Sequence, residues 1–98
     1  MAQYDVHLGR DGELLLDIQS DALSGLNTRI VVPIMPSQSA PKPLSHLNPE
    51  IVLDDVPYRI VTQFMTAVRL ADLGKTLGSL KPLDQRVSRA LDFLLHGI

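Results

Sequence analysis

Thr28-Arg29-Ile30-Val31-Val32-Pro33-Ile34 is dense in β-branched residues, which suit an extended, pleated backbone. Ile30, Val32 and Ile34 fall on one face of such a strand and Val31 falls on the other. Apolar side chains on both faces predict a strand covered on both sides, at the centre of a sheet. The same period of two continues toward the N-terminus. Tyr4, Val6 and Leu8 alternate, Gly9-Arg10-Asp11-Gly12 reads as a turn, and Leu14, Leu16 and Ile18 alternate again. Asp-Gly tolerates the positive φ of a tight connection, so the first two strands are predicted to be antiparallel neighbours.

Past the central strand the composition changes. Pro36, Pro41, Pro43 and Pro49, set among serines and a lysine, cannot join a regular ladder and predict a long surface loop over 35–49. Glu50 to Leu53, an Asp54-Asp55 turn and the run from Tyr58 to Val68 predict a second hairpin. In that run Tyr58, Ile60, Thr62 and Phe64 alternate against Arg59, Val61, Gln63 and Met65. Arg69 to Leu73 reads as a short final strand. Only then does the period become that of a helix, with Leu83, Val87, Ala90, Leu91, Leu94 and Ile98 on one face. Pro82 marks its start, Asp84 places a carboxylate at the positive end of the dipole, and Gly97 marks its end. Phe93 and Leu95 lie off the main stripe. They either complete the core of one chain or form a surplus that a second copy would cover.

With 98 residues the chain has room for one domain, 1–98, and domains this small often gain burial by associating. A formal net charge of -2 argues against a chain that finds nucleic acid through its own field. There are no cysteines, which removes disulfides, thiolate zinc sites and cysteine nucleophiles and fits a reducing cytoplasm. No stretch approaches the ~20 apolar residues that span a bilayer, and the first residues lack the pattern of a secretory signal. His7, His46 and His96 lie far apart with no paired ligand spacing, and no Gly-rich phosphate loop is present, so no metal or cofactor is predicted.

Several short strings, taken in order, resemble the CcdB family of toxins. They are Asp17-Ile18-Gln19-Ser20-Asp21, then Arg29-Ile30-Val31-Val32-Pro33-Ile34, then Ser45-His46-Leu47 with Pro49, then Met65-Thr66-Ala67-Val68, and the closing Gly97-Ile98. The resemblance spans the whole chain. It implies a mainly β fold, an SH3-like small barrel or antiparallel sheet shared with MazF-type toxins, with a C-terminal helix and a homodimeric assembly. It further implies a type II toxin that binds the DNA gyrase A subunit and traps the gyrase-cleaved DNA complex. A CcdA-like antitoxin would neutralise it, and operator DNA would be reached only through that antitoxin.

The same resemblance points to gyrase-contact residues. Gly97 and Ile98 match the family's terminal pair, and His96 stands where the founding toxin has tryptophan. Asp92, one turn before His96, replaces an asparagine of the family's contact, and Ala22 and Leu23 fall where two further contact residues lie. Such a poison requires no catalytic group, because holding one state of another enzyme requires only preferential binding to that state.

Two other readings compete. A MazF-like endoribonuclease could recruit Arg29, Asp72 and His7, although the arginine-glycine-aspartate segment and proline-valine strand typical of MazF are missing, and Arg29 reads more simply as a strand-end charge. A non-toxic relative that binds only its antitoxin is suggested by His96, which buries less area than tryptophan at a binding hot spot.

Overall fold

The computed structural model describes residues 2–98. Seven strands form one antiparallel sheet: β1 (Asp5–Leu8), β2 (Leu14–Asp17), β3 (Thr28–Pro36), β4 (Glu50–Leu53), β5 (Val56–Ile60), β6 (Thr66–Arg69) and β7 (Thr76–Ser79). The order across the sheet is β4-β5-β3-β2-β1-β7, with β6 paired to β3. Among the described residues there is one α-helix, α1 (Asp84–His96), which follows the strands.

The central strand sits where its composition predicts. Val31, Val32 and Ile34 are all buried, and the two faces serve different surroundings. On one face Val32 and Ile34 join Tyr4, Val6, Leu16, Ile18, Ile51 and Ile60 around Val87 of α1. On the other, Val31 lies opposite Asp17 of β2 and two residues from Arg29, both buried. The first hairpin also forms as expected, pairing Leu8 with Leu14 and placing Gly12 at φ 81°. At the β4–β5 turn Asp54 and Asp55 both have positive φ, the conformation of a two-residue hairpin turn that aspartate tolerates.

Three expectations are corrected. First, β3 runs on to Pro36, so the loop begins after it, and its second half is pinned. The Asn48 amide donates to the Ile60 carbonyl at 3.2 Å and to Gln63 Oε1 at 2.7 Å, and the Thr62 hydroxyl donates to the Leu47 carbonyl at 2.6 Å.

Second, the run from Tyr58 to Val68 is not one strand. Ile34 pairs with Ile60 and Val31 with Thr66, so six steps along this run face only three steps of β3. A 3-10 turn at Thr62–Phe64 takes up the excess. Pro33 lies opposite this break: its carbonyl accepts from the Val61 N–H at 2.9 Å, and its missing N–H falls where the partner strand has left the ladder.

Third, the final strand is not 69–73. Leu70–Asp72 is a 3-10 turn, and the last strand is β7, which pairs with β1 at the sheet edge. Every residue of β7 is exposed, so it carries no alternation of apolar side chains to read.

The helix follows the predicted stripe through most of its length. Val87 and Ala90 are buried, and Leu83 and Leu91 pack against the core. Pro82 lies in a 3-10 turn (Lys81–Leu83) that leads into α1, and Asp84 occupies the first helical turn. Ile98 is the exception to the stripe, for a reason that belongs to the site.

Candidate functional site

Gly97 adopts the left-handed conformation, φ 73°, and its N–H donates to the Phe93 carbonyl at 2.9 Å. This is a helix C-cap that glycine fills without a Cβ penalty. It turns the backbone off the helix, so Ile98 leaves the apolar stripe and is 89% exposed. Leu95 at 62% and Phe93 at 38% exposure do not complete the core of this chain. His96 and Asp92 are also exposed, one turn apart on α1. The last turn of α1 therefore presents an apolar tip with one carboxylate and one imidazole beside it.

Ala22 and Leu23 lie elsewhere, in a 3-10 turn at Asp21–Leu23. The Ser20 hydroxyl accepts from the Ala22 N–H at 3.2 Å and fixes the start of the turn. Leu23 is 50% exposed and so is not a buried anchor, while its carbonyl accepts from the Gln19 side-chain amide at 3.1 Å. Among the described residues no hydrogen bond or ion pair joins this turn to the end of α1. The predicted contact residues thus belong to two exposed elements, the turn at Asp21–Leu23 and the last turn of α1, with no polar bond between them.

Gln19 connects the turn to a buried polar network. Arg29 reaches Asp17 Oδ2 with both Nε and Nη2, at 2.8 Å each, and the Asp17 Oδ1 atom accepts from the Gln19 N–H at 3.0 Å. The Gln19 Oε1 atom in turn accepts from the Ile30 N–H at 3.1 Å. Arg29 is only 1% exposed, which corrects the reading of it as a strand-end charge. Burial of this charge is tolerated because a fully engaged carboxylate faces it. The first two strings of the family resemblance are joined by this pair.

The residues available to a ribonuclease are buried or paired, although His7 Nε2 has no hydrogen-bond partner among the described residues. His7 is fully buried on β1, with Nδ1 at 3.4 Å from both the Gly74 carbonyl and the Thr76 hydroxyl. Asp72 pairs with Arg69 at 3.2 Å and with Arg10 at 3.6 Å. Neither Arg29 nor His7 presents a side chain to solvent. Among the described residues no group of three potential ligands could hold a metal ion, and no helix is long and apolar enough to cross a membrane.

The sequence reading missed a cleft between α1 and the segment before β4. One half, about 330 Å³, is lined by Ser45, His46, Asn48, Pro49, Glu50, Arg86 and Arg89. The other, about 450 Å³, is lined by His46, Arg89, Phe93, Gly97 and Ile98. His46, an exposed residue with φ 71°, borders both. The available signal was the spacing of Arg86 and Arg89, which puts both guanidiniums on one side of the helix.

Comparison with known proteins agrees with this architecture. Solved structures of similar fold include an endoribonuclease from mycobacterial species, with a TM-score of 0.75, 13% identity and coverage of 97% of this chain and 90% of that one. A second is the Mycobacterium tuberculosis toxin MazF-mt6, with a TM-score of 0.75, 17% identity and coverage of 90% and 92%. A third is a mycobacterial endoribonuclease in complex with its cognate antitoxin, with a TM-score of 0.76, 16% identity and coverage of 97% and 94%. At these identities the likeness is one of fold. No curated protein matches. The family model described as CcdB protein matches residues 3–97, nearly the whole length, and the chain belongs to the CcdB family.

Proposed function

We propose that this protein is the toxin of a type II toxin-antitoxin system that binds the gyrase A subunit as a homodimer and traps the gyrase-cleaved DNA complex. Membership of the CcdB family supports the toxin class. The observation that carries the finer reading is the exposed Gly97-Ile98 tip, which the left-handed glycine holds clear of the helix. A binding surface of this kind offers apolar area to a partner without requiring a catalytic group. His96 and Asp92 are exposed beside the tip and would join that contact, while Ala22 and Leu23, exposed in the turn at Asp21–Leu23, would form a second one. In a homodimer two copies of the tip would lie together, and the surplus apolar surface of Phe93 and Leu95 gives a second copy something to cover.

A CcdA-like antitoxin is the proposed controlling partner, and operator DNA is reached through it, consistent with the chain's net charge of -2. A related fold bound to its cognate antitoxin supports that pairing.

The fold's similarity to endoribonucleases makes RNA cleavage the second reading. It is weakened by the burial of Arg29 and His7 and by the pairing of Asp72. Inducing the chain in gyrase-sensitive bacteria and in a strain whose gyrase A subunit resists CcdB separates the readings. Killing confined to the sensitive strain supports gyrase poisoning; killing in both, with cleaved RNA, supports the ribonuclease. Absence of killing points to a relative that binds only its antitoxin, with His96 the residue to examine.

A further inference from the structure

The main path across the sheet ends in β4 on one side and β7 on the other, and the two ends are finished differently. β4 is partly closed, since its Glu50 carbonyl accepts from Arg86 Nη2 at 3.2 Å, and the Asp54-Asp55 turn puts negative charge at its end. β7 is open. It pairs only with β1, all its residues are exposed, and no strand lies along its outer edge among the described residues. Such an edge offers a row of N–H and C=O groups to an extended chain.

Charge says what kind of chain would fit. Thr76-Leu77-Gly78-Ser79 carries no charge but is bracketed by Lys75 and Lys81. Both lysines are exposed, and neither forms an ion pair among the described residues; the Lys81 ammonium lies 5.4 Å from the centre of the Tyr4 ring. The carboxylate in register with the strand, that of Asp5 opposite Ser79, already accepts from the Ala2 N–H at 3.0 Å. Two lysines are too few to hold nucleic acid on a chain with a net charge of -2, but they suit two carboxylates on a short peptide.

Gly78 adds a second requirement. Glycine weakens a strand, and this chain gives no compensating reason for it: its φ is not positive, and a Cβ there would meet nothing within 4 Å. Gly78 lies opposite the buried Val6, and directly opposed residues share a face, so the missing side chain leaves a notch beside the core. An aromatic side chain on a neighbouring strand covers such a glycine. We propose that β7 is a docking edge for an extended segment of a partner protein, with an aromatic residue beside Gly78 and acidic residues at Lys75 and Lys81. Backbone bonds supply the common part of the binding, and the lysines and the notch supply the selectivity. No residue of β7 belongs to the gyrase contacts proposed above, so the inference does not rest on that reading.

The test is a titration of the isotope-labelled full chain, followed by backbone amide signals and amide exchange. The probe is a blocked heptapeptide with glutamate at each end, alternating threonine and valine between, and phenylalanine at its centre. One control peptide has lysines in place of the glutamates, and another has alanine in place of the phenylalanine. The expected result is that the probe shifts the signals of residues 75–81 and slows amide exchange in β7, binding about tenfold more tightly than the lysine peptide and about threefold more tightly than the alanine peptide. The double variant Lys75→Glu/Lys81→Glu then prefers the lysine peptide. Gly78→Val, which fills open space and keeps the fold by circular dichroism, binds the phenylalanine and alanine peptides alike. Equal binding of the glutamate and lysine peptides, or a phenylalanine preference that survives Gly78→Val, overturns the proposal. So does slow exchange of the β7 amides in the free chain that strengthens with protein concentration, because that assigns the edge to a second copy.

Discussion

Arg29 and Ile98 mark two regions that the family resemblance singles out for opposite physical reasons. Arg29 is 1% exposed and its guanidinium is held by Asp17, so its charge serves to lock β2 to β3. Ile98 is 89% exposed, beyond a glycine cap that detaches it from the core, so its apolar side chain contributes little to the fold of one chain. Motif residues are therefore not uniformly functional: one set builds the scaffold and the other is displayed by it. Stability and toxicity should respond to substitution in the two regions in opposite ways.

The largest expected effect is at the buried network. Asp17→Asn leaves the Arg29 charge uncompensated in the interior and should cost ~3–5 kcal/mol of unfolding free energy, measured by equilibrium denaturation. A cost under ~1 kcal/mol would mean that water reaches the pair and that the contrast in burial overstates its role.

Next comes Thr62→Val. It removes the donor to the buried Leu47 carbonyl and should cost ~1–3 kcal/mol, with the loop before β4 gaining faster amide exchange. Unchanged exchange there would show that Asn48 alone holds the loop.

Gly97→Ala is smaller, about 1 kcal/mol, because the expense is that of a left-handed alanine; a Cβ at this position meets nothing within 4 Å. The same substitution should reduce toxicity more than stability, since it redirects Ile98. Deleting Ile98 should alter unfolding free energy by less than ~0.5 kcal/mol while abolishing toxicity. A large loss of stability on that deletion would erase the distinction between the two regions.

The sequence was readable where side-chain burial follows periodicity. Alternation located β1, β2 and β3, and the stripe of Val87, Ala90 and Leu91 located α1. It misled where alternation continued through a change of backbone. Thr62 and Phe64 keep the period of two although they lie in a 3-10 turn, because the excess length over β3 is a property of pairing and not of the local residues. It was silent for β7, whose side chains are all exposed and whose partner, β1, lies some 70 residues away in the chain. Arg29 was misread because a charged residue near a strand end ordinarily faces water; its partner Asp17 sits on the neighbouring strand and reveals itself only through the register. The cleft at Arg86 and Arg89 depends on where the 44–50 segment folds, which no local pattern specifies.

The most direct test is a DNA-cleavage assay with purified gyrase, supercoiled DNA and ATP, comparing the full chain with a variant lacking Gly97 and Ile98. The account predicts that the full chain accumulates cleaved DNA held by gyrase and that the truncated chain, folded to the same stability, does not. Cleavage complexes that persist without the two terminal residues, or RNA cut by the full chain while gyrase is unaffected, would contradict it.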